Sequence, residues 1–237
     1  MGLQYRRVLI KISGEALSGE KGTGYDFPFV VSVCESVKAC LQEGAQIGIV
    51  IGGGNFWRGV KDGAGRVERV SADRMGMLAT AMNCLAVGDV LRQCGVDARV
   101  MTAVDIQGVG ERHDVPRAKE YLEAGKVVLF GCGTGHPFFS TDTAAVLRAA
   151  EIGADAILLA KNIDGVYSAD PRQDPTAVKF DEISYQDVLA RRLQVMDSTA
   201  TSLAMDNNLP VLVFALKDPA NIGRVLRGEK IGTLVHG

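Results

Sequence analysis

At 237 residues, with 47% hydrophobic and 23% charged side chains, the chain has enough apolar surface for one large or two small packed domains, which excludes a disordered or fibrous protein. A formal net charge of −2 argues against nucleic acid or an anionic membrane as the main partner, and an anionic small molecule fits better. The longest uncharged runs contain glycine and proline and fall short of the roughly 18 to 20 apolar residues of a membrane span. The first residues carry no apolar signal core, and Arg6 stands where a myristoylation motif needs serine or threonine, so a cytoplasmic protein is expected.

Residues 7–12 read as a first strand, closed by Ser13 and Gly14, with Lys11 interrupting an otherwise apolar sequence. A lone lysine in a strand usually snorkels to the surface. At the carboxyl end of an early parallel strand it would instead project into the crevice where open α/β sheets bind ligands. A glycine-rich loop over 18–24 then precedes an amphipathic helix marked by Phe29, Val30, Val33, Cys34, Val37 and Leu41, with Gly44 past its end. The apolar run 47–51 reads as a strand buried on both faces, and it stops at Gly52, Gly53 and Gly54, where another molecule could approach bare backbone. A glycine cluster by itself equally suits a plain turn; Arg58, a few residues on, supplies a fork for anionic oxygens and favours a phosphate site.

A polar connection leads to a long helix over about 71–94, along which Met75, Leu78, Met82, Leu85 and Asp89 trace one face suited to core or subunit packing. A strand at 98–101 and a helix entered through Pro116 and ended at Gly125 follow. The pattern then repeats: a strand at 126–130 runs into a second glycine-rich loop, 131–142, feeding a helix with Ser140 or Thr141 as its N-cap and making a second anion site. Residues 155–160 form the next strand, and 161–175, rich in proline and aspartate, a long loop. Short helices are expected near 184–191 and 198–207, a strand at 211–214, a helix after Pro219 and a last short strand near 233–235. This alternation implies an α/β fold with a largely parallel central sheet covered on both faces, and without a linker or composition break it reads as a single domain. The two glycine loops would face each other across the carboxyl edge of the sheet.

Cys34, Cys40, Cys84, Cys94 and Cys132 are odd in number and contain no Cys-x-x-Cys pair, so they read as small core residues. Cys132 lies in a candidate ligand loop but has no adjoining histidine or carboxylate to make a nucleophilic pair. His113, His136 and His236 are too scattered for a metal triad. Neither Gly-x-x-x-x-Gly-Lys-Ser/Thr nor a completed Gly-x-Gly-x-x-Gly occurs, which disfavours a P-loop kinase and an ordinary Rossmann dehydrogenase.

The motifs that remain are Lys11-Ile-Ser-Gly14 after the first strand, Gly52-Gly-Gly-Asn55 after the second, and Asp164-Gly-Val-Tyr-Ser-Ala-Asp-Pro171 after a later one. In that order they resemble the amino-acid kinase family. The resemblance runs over nearly the whole chain and implies a three-layer αβα sandwich, with the acceptor over the N-terminal half (about 1–125) and ATP over the C-terminal half (about 126–237). Within the family, Ser13-Gly-Glu-Ala16, Asp73-Arg-Met-Gly-Met77, Thr134-Gly135 with Pro137-Phe-Phe139, and Val195-Met-Asp197 are similar to the bacterial branch that phosphorylates UMP.

Carried over by position, the resemblance implies that Lys11, Ile12, Ser13 and Gly14 hold the ATP phosphates together with Gly54 and Arg58. UMP would be held by Gly53, Asp73, Thr134, Gly135, His136, Pro137, Phe138, Phe139, Ser140 and Thr141. Lys161, Tyr167 and Asp170 match positions at the adenosine end of ATP. Gly19, Glu20, Lys21, Gly22, Thr23 and Gly24 match a loop associated with GTP activation, UTP being the other possible effector. Lys11, Arg58 and Asp142 take the catalytic roles, with Asp197 near them. His136 stands where many relatives have asparagine, and Lys161 where some have threonine. Phosphoryl transfer needs alignment and charge neutralisation more than covalent help, and magnesium arriving with ATP keeps several waters, so no protein metal cage is expected. A homo-hexamer is implied as well. The alternatives are another enzyme of this fold acting on a carboxylate or carbamate, or a non-catalytic nucleotide sensor.

Overall fold

A computed structural model describes residues 2–57, 65–193 and 195–237. The two apolar strands expected early in the chain lie side by side at its centre. β1 (Arg7–Ile12) and β2 (Gln46–Ile51) run parallel with Lys11 opposite Val50. Around them are ranged β3 (Ala98–Thr102), β4 (Glu111–Arg112), β5 (Val127–Gly131), β6 (Ala156–Lys161), β9 (Glu182–Ser184), β10 (Val211–Ala215) and β11 (Thr233–His236). They form one nine-stranded sheet in the order β4-β3-β5-β2-β1-β6-β10-β11-β9. Every pairing from β4 to β10 is parallel; β11 turns back antiparallel to β10 and carries β9 alongside it. β7 (Val166–Tyr167) and β8 (Lys179–Phe180) make a separate two-stranded ribbon.

Side chains alternate across a strand, and the two faces of the sheet are covered separately. Val8, Ile10 and Ile12 pack under α2 (Phe27–Gln42), α3 (Arg69–Gln93) and α8 (Asn221–Leu226) through residues such as Val33, Cys84 and Val225. Leu9 and Val50 pack on the other side under α4 (Val115–Glu123), α5 (Thr141–Ile152), α6 (Tyr185–Ala190) and α7 (Ser198–Asp206) through Leu122, Val146, Val188 and Ala204. The result is the three-layer αβα sandwich. Helix starts follow the expected chemistry: Asp26 caps α2 ahead of Pro28, Asp114 caps α4 ahead of Pro116, and Ser140 rather than Thr141 caps α5.

Cys34, Cys40, Cys84 and Cys132 are buried and Cys94 partly so; all five are free thiols. Burial pushes the Cys34 thiol up to about 12 and that of Cys40 to about 11, which makes them inert core residues. The stretch just after Ser13 is helical, α1 (Gly14–Ser18), because Ala16 and Leu17 turn inward onto the core. A 3₁₀ turn, Gly19–Lys21, follows within the expected loop. Among the described residues no helix is long and apolar enough to cross a membrane.

Candidate active site

Lys11 is the penultimate residue of β1, and its side chain is almost wholly buried at the carboxyl edge of the sheet. It is not snorkelling: its Nζ lies 2.5 Å from Asp142 Oδ1, in the first turn of α5. That carboxylate also lies where the positive end of the helix dipole stabilises it. Ile12 points the other way, into the core, and faces the edge only through its backbone, whose carbonyl accepts from Gly52 N at 2.9 Å.

The loop after β2 is held against α1 and α3. A Cβ on Gly14 would lie 2.4 Å from the Gly52 carbonyl oxygen, and one on Gly53 would lie 2.9 Å from Ala79 Cβ, so both glycines permit a contact that any other residue would block. Beneath them Asn55 and Asn83, both buried, exchange amide hydrogen bonds of 3.0 and 2.8 Å, and Asn83 Nδ2 also donates to Gly52 O at 2.7 Å. Asn55 reaches onward to the 19–24 loop: its Nδ2 donates to Gly24 O at 3.0 Å, while Gly24 N and Thr23 Oγ1 donate to its own carbonyl. The expected effector loop is therefore fastened to the 52–54 glycine loop through Asn55.

The loop between β5 and α5 faces this arrangement; a Cβ on Gly52 would sit 3.5 Å from Thr141 Oγ1. Two of its non-glycine residues, Cys132 and Phe138, have left-handed backbone, with φ of 65° and 72°. Each is tied to α3, Cys132 N donating to Thr80 Oγ1 and Phe138 N to Asp73 Oδ2, both at 2.8 Å. Asp73 also accepts from Arg69 Nε at 2.8 Å, and the Arg69 guanidinium lies over the Phe138 ring. Gly53, Asp73, Thr134, His136, Phe139 and Thr141 line a common cavity of about 160 Å³ between α3 and the loop. Pro137 and the exposed Phe138 lie in the same loop without lining the cavity. Ser140 serves as the α5 cap, its hydroxyl donating in turn to Asp197.

On the other side of Asp142 a cavity of about 460 Å³ is bounded by Asp142, Lys161, Leu189, Arg192, Val195 and Met196. This volume is within the range of small-molecule sites, roughly 300 to 1,000 Å³. Lys161 ends β6 and donates from Nζ to the Val195 carbonyl; burial lowers its pKa, with Lys11 adding to the fall and Asp142 opposing it. Tyr167 and Asp170 stand apart from this cavity. Tyr167 donates to Asp164 at 2.8 Å, and Asp170 is gripped by Arg172, which holds its carboxyl below the usual range. Arg58 lies outside the described residues.

The structure thus brings Lys11, Gly14, Gly53 and Asp142 to one edge, with a cavity on either side. Several participants were not singled out from sequence. Trp57 and Thr80 line the smaller cavity, Asn83 holds the glycine loop, and buried Arg148 donates to Gly133 O at 3.3 Å while pairing with Glu151. A buried asparagine and arginine inside helices are the only signals for the last two, and neither names its partner. Among the described residues no group of three or more His, Cys, Asp or Glu is placed to hold a metal ion.

The model of the amino acid kinase family matches residues 6–215. The fold is similar to that of a UMP kinase from Bacillus anthracis, with a TM-score of 0.94, 38% identity, and coverage of 98% of this chain and 96% of that one. It is similar also to a UMP kinase from Ureaplasma parvum, with a TM-score of 0.93 and 35% identity over 99% of this chain and 100% of that one. A uridylate kinase from Archaeoglobus fulgidus is more distant, at a TM-score of 0.74 and 28% identity over 96% of this chain and 99% of that one. With a family model over most of its length and relatives matched from end to end, the chain belongs to the amino acid kinase family.

Proposed function

We propose that this protein transfers the γ-phosphate of ATP to UMP, yielding ADP and UDP. The observation that carries the reading is the Lys11–Asp142 pair at the sheet edge, between a larger cavity beside Lys161 and a smaller one bounded by Asp73 and the 134–141 loop. ATP is assigned to the first and UMP to the second. A UMP phosphate oxygen attacks the γ-phosphorus in line, a new P–O bond forms, and the bond to the β–γ bridging oxygen breaks with its electron pair leaving on ADP. The acceptor phosphate is already ionised at neutral pH, so no general base is required. Lys11 neutralises charge on the equatorial oxygens, Asp142 orients Lys11, and the backbone of residues 52–54 separates the two nucleotides. Arg58 is assigned to the same charge. Magnesium would arrive on the triphosphate, where Asp142, the carboxylate in the lining of the larger cavity, would be available to hold it or its waters, and its chemistry when bound is to neutralise phosphate oxygens.

Further assignments belong to this reading. Tyr167 and Asp170 belong to the adenosine end, with Ile12 and Ser13 beside the phosphates. Residues 19–24 are assigned to GTP as an activator, with Asn55 as their link to the site, and UTP is the other effector, with no residues assigned to it. Residues 1–125 form the acceptor half and 126–237 the donor half of one domain, except that the 134–141 loop reaches back onto α3. A cytoplasmic homo-hexamer completes the proposal; the apolar outer face of α3 supports a contact between subunits. The test is transfer of labelled phosphate from ATP to UMP, CMP, dUMP, aspartate, glutamate and carbamate, with and without GTP and UTP. UDP should be the main product, and Lys11→Ala should lower kcat by about 10²-fold or more. Label appearing only on an amino acid or carbamate would overturn the reading, as would tight ATP binding with no transfer.

A further inference from the structure

Lys161 is expected by resemblance at the adenosine end of ATP, but its surroundings are those of the reacting end. β1 and β6 are parallel neighbours with Lys11 opposite Leu159. Residues two apart on a strand leave the same face, so Lys161 stands on the Lys11 face, one step nearer the carboxyl edge. From strand spacing and rise, the two Cα atoms are roughly 8 Å apart. α5 covers that same face, Leu159 and Leu9 packing with Ala145 and Val146. Asp142, in the first turn of α5, therefore overlooks both lysines, and it lines the larger cavity together with Lys161.

Charge accounting separates the two cations. The Asp142 carboxylate is in contact with Lys11, at 2.5 Å. Lys161 is mostly buried; among the described residues its amine hydrogen-bonds to the neutral Val195 carbonyl, and Asp142 acts on it through charge and not through a contact. A desolvated ammonium hydrogen-bonded only to a dipole, and sharing its nearby carboxylate with Lys11, is costly, and an anion entering the cavity relieves that cost. Adenine and ribose bring no negative charge; the triphosphate does.

We propose that Lys161 is a second phosphate-binding cation, which contacts the terminal phosphate of ATP and shares with Lys11 the charge of the transferring group. The inference rests on the reading of this protein as an ATP-dependent kinase. In the resting structure Lys161 is parked on Val195, and ATP draws it off. That exchange links donor binding to the segment joining α6 and α7.

The test compares adenosine, ADP and a non-hydrolysable ATP analogue in equilibrium binding to the wild type, Lys161→Met, Lys161→Gln and Lys161→Arg, alongside kcat. Gln keeps a donor for the Val195 carbonyl without the charge. Both neutral variants should weaken the ATP analogue by ~10-fold more than ADP, as loss of a charge-assisted hydrogen bond predicts. They should leave adenosine unchanged and lower kcat by about 10²-fold, with Arg restoring part of both. Equal losses for adenosine, ADP and the analogue would return Lys161 to the adenosine end and overturn the proposal. So would a Gln variant with wild-type binding and turnover, which would reduce Lys161 to a structural tie. A wild-type protein that binds no ATP would instead overturn the kinase reading itself, and the proposal with it.

Discussion

Asn83 is fully buried in the middle of α3, and its amide both donates to the Gly52 carbonyl and pairs with Asn55. Removing the side chain leaves the Asn55 amide and a buried carbonyl short of partners, a loss worth ~1 to 3 kcal/mol. Asn83→Ala should therefore lower the free energy of unfolding in urea by about that amount. Because Asn55 also carries the contacts to Thr23 and Gly24, the same variant should raise the KM for both nucleotides. Wild-type KM values with only a lower stability would show that the pair supports the fold and not the loop. Lys11 and the glycines were legible in sequence because each breaks a local pattern: a charge inside an apolar strand, and a strand that stops in bare backbone. Asn83 breaks its helix pattern too, but its partners lie about thirty positions away, and nothing local says where an amide in a helix will point.

The carboxylate of Asp197 joins two helices. It caps α7 by accepting from Ala200 N at 3.0 Å, and it accepts from Ser140, the cap of α5, and from Thr143 Oγ1 at 3.1 Å. The start of α5 carries Asp142 and ends the 134–141 loop, so the orientation of one helix end governs both the Lys11 partner and the lining of the smaller cavity. Losing a cap of this kind costs ~0.5 to 2 kcal/mol. Asp197→Ala should lower the Tm accordingly and raise the KM for UMP by several-fold, and Asp197→Asn should recover part of the cap and part of the KM. A variant that lost stability while keeping its KM for UMP would confine Asp197 to helix capping. At this scale the order of major elements was readable from hydrophobic period and punctuation. β4, β9 and the β7–β8 ribbon were not, since two or three residues are too few to display a period of two, and they exist through pairing with distant strands. The Ser140 cap could be read from its place before an apolar run; its acceptor, 57 residues on, could not.

At the scale of the molecule, α3 is apolar on two sides. Its inner side, with Met77, Ala81, Cys84 and Leu91, is buried. Met75, Leu78, Met82 and Leu85 point outward, each at least 38% exposed. Sequence periodicity could trace this outer stripe but could not say which side would meet the sheet. A helix apolar all round belongs in an interior, and the 3-4-3 spacing of the outer four is that of a helix seam that packs against another helix. Phe27, Val31 and Phe56 are also exposed, and Tyr25 lies 5.3 Å from the Phe56 ring, between centroids, in an edge-on contact. Phe56 directly follows Asn55, so a second copy covering this face would also press on the 52–54 glycine loop and on the 19–24 segment. The wild type should therefore run as an oligomer by light scattering, and Leu78→Glu with Met82→Glu should reduce its mass to that of a smaller species. Activity per chain should fall in the same variant, because the loop loses its outer support. A wild type that is monomeric at micromolar concentration would remove the seam, while a smaller but fully active variant would separate assembly from the state of the 52–54 glycine loop.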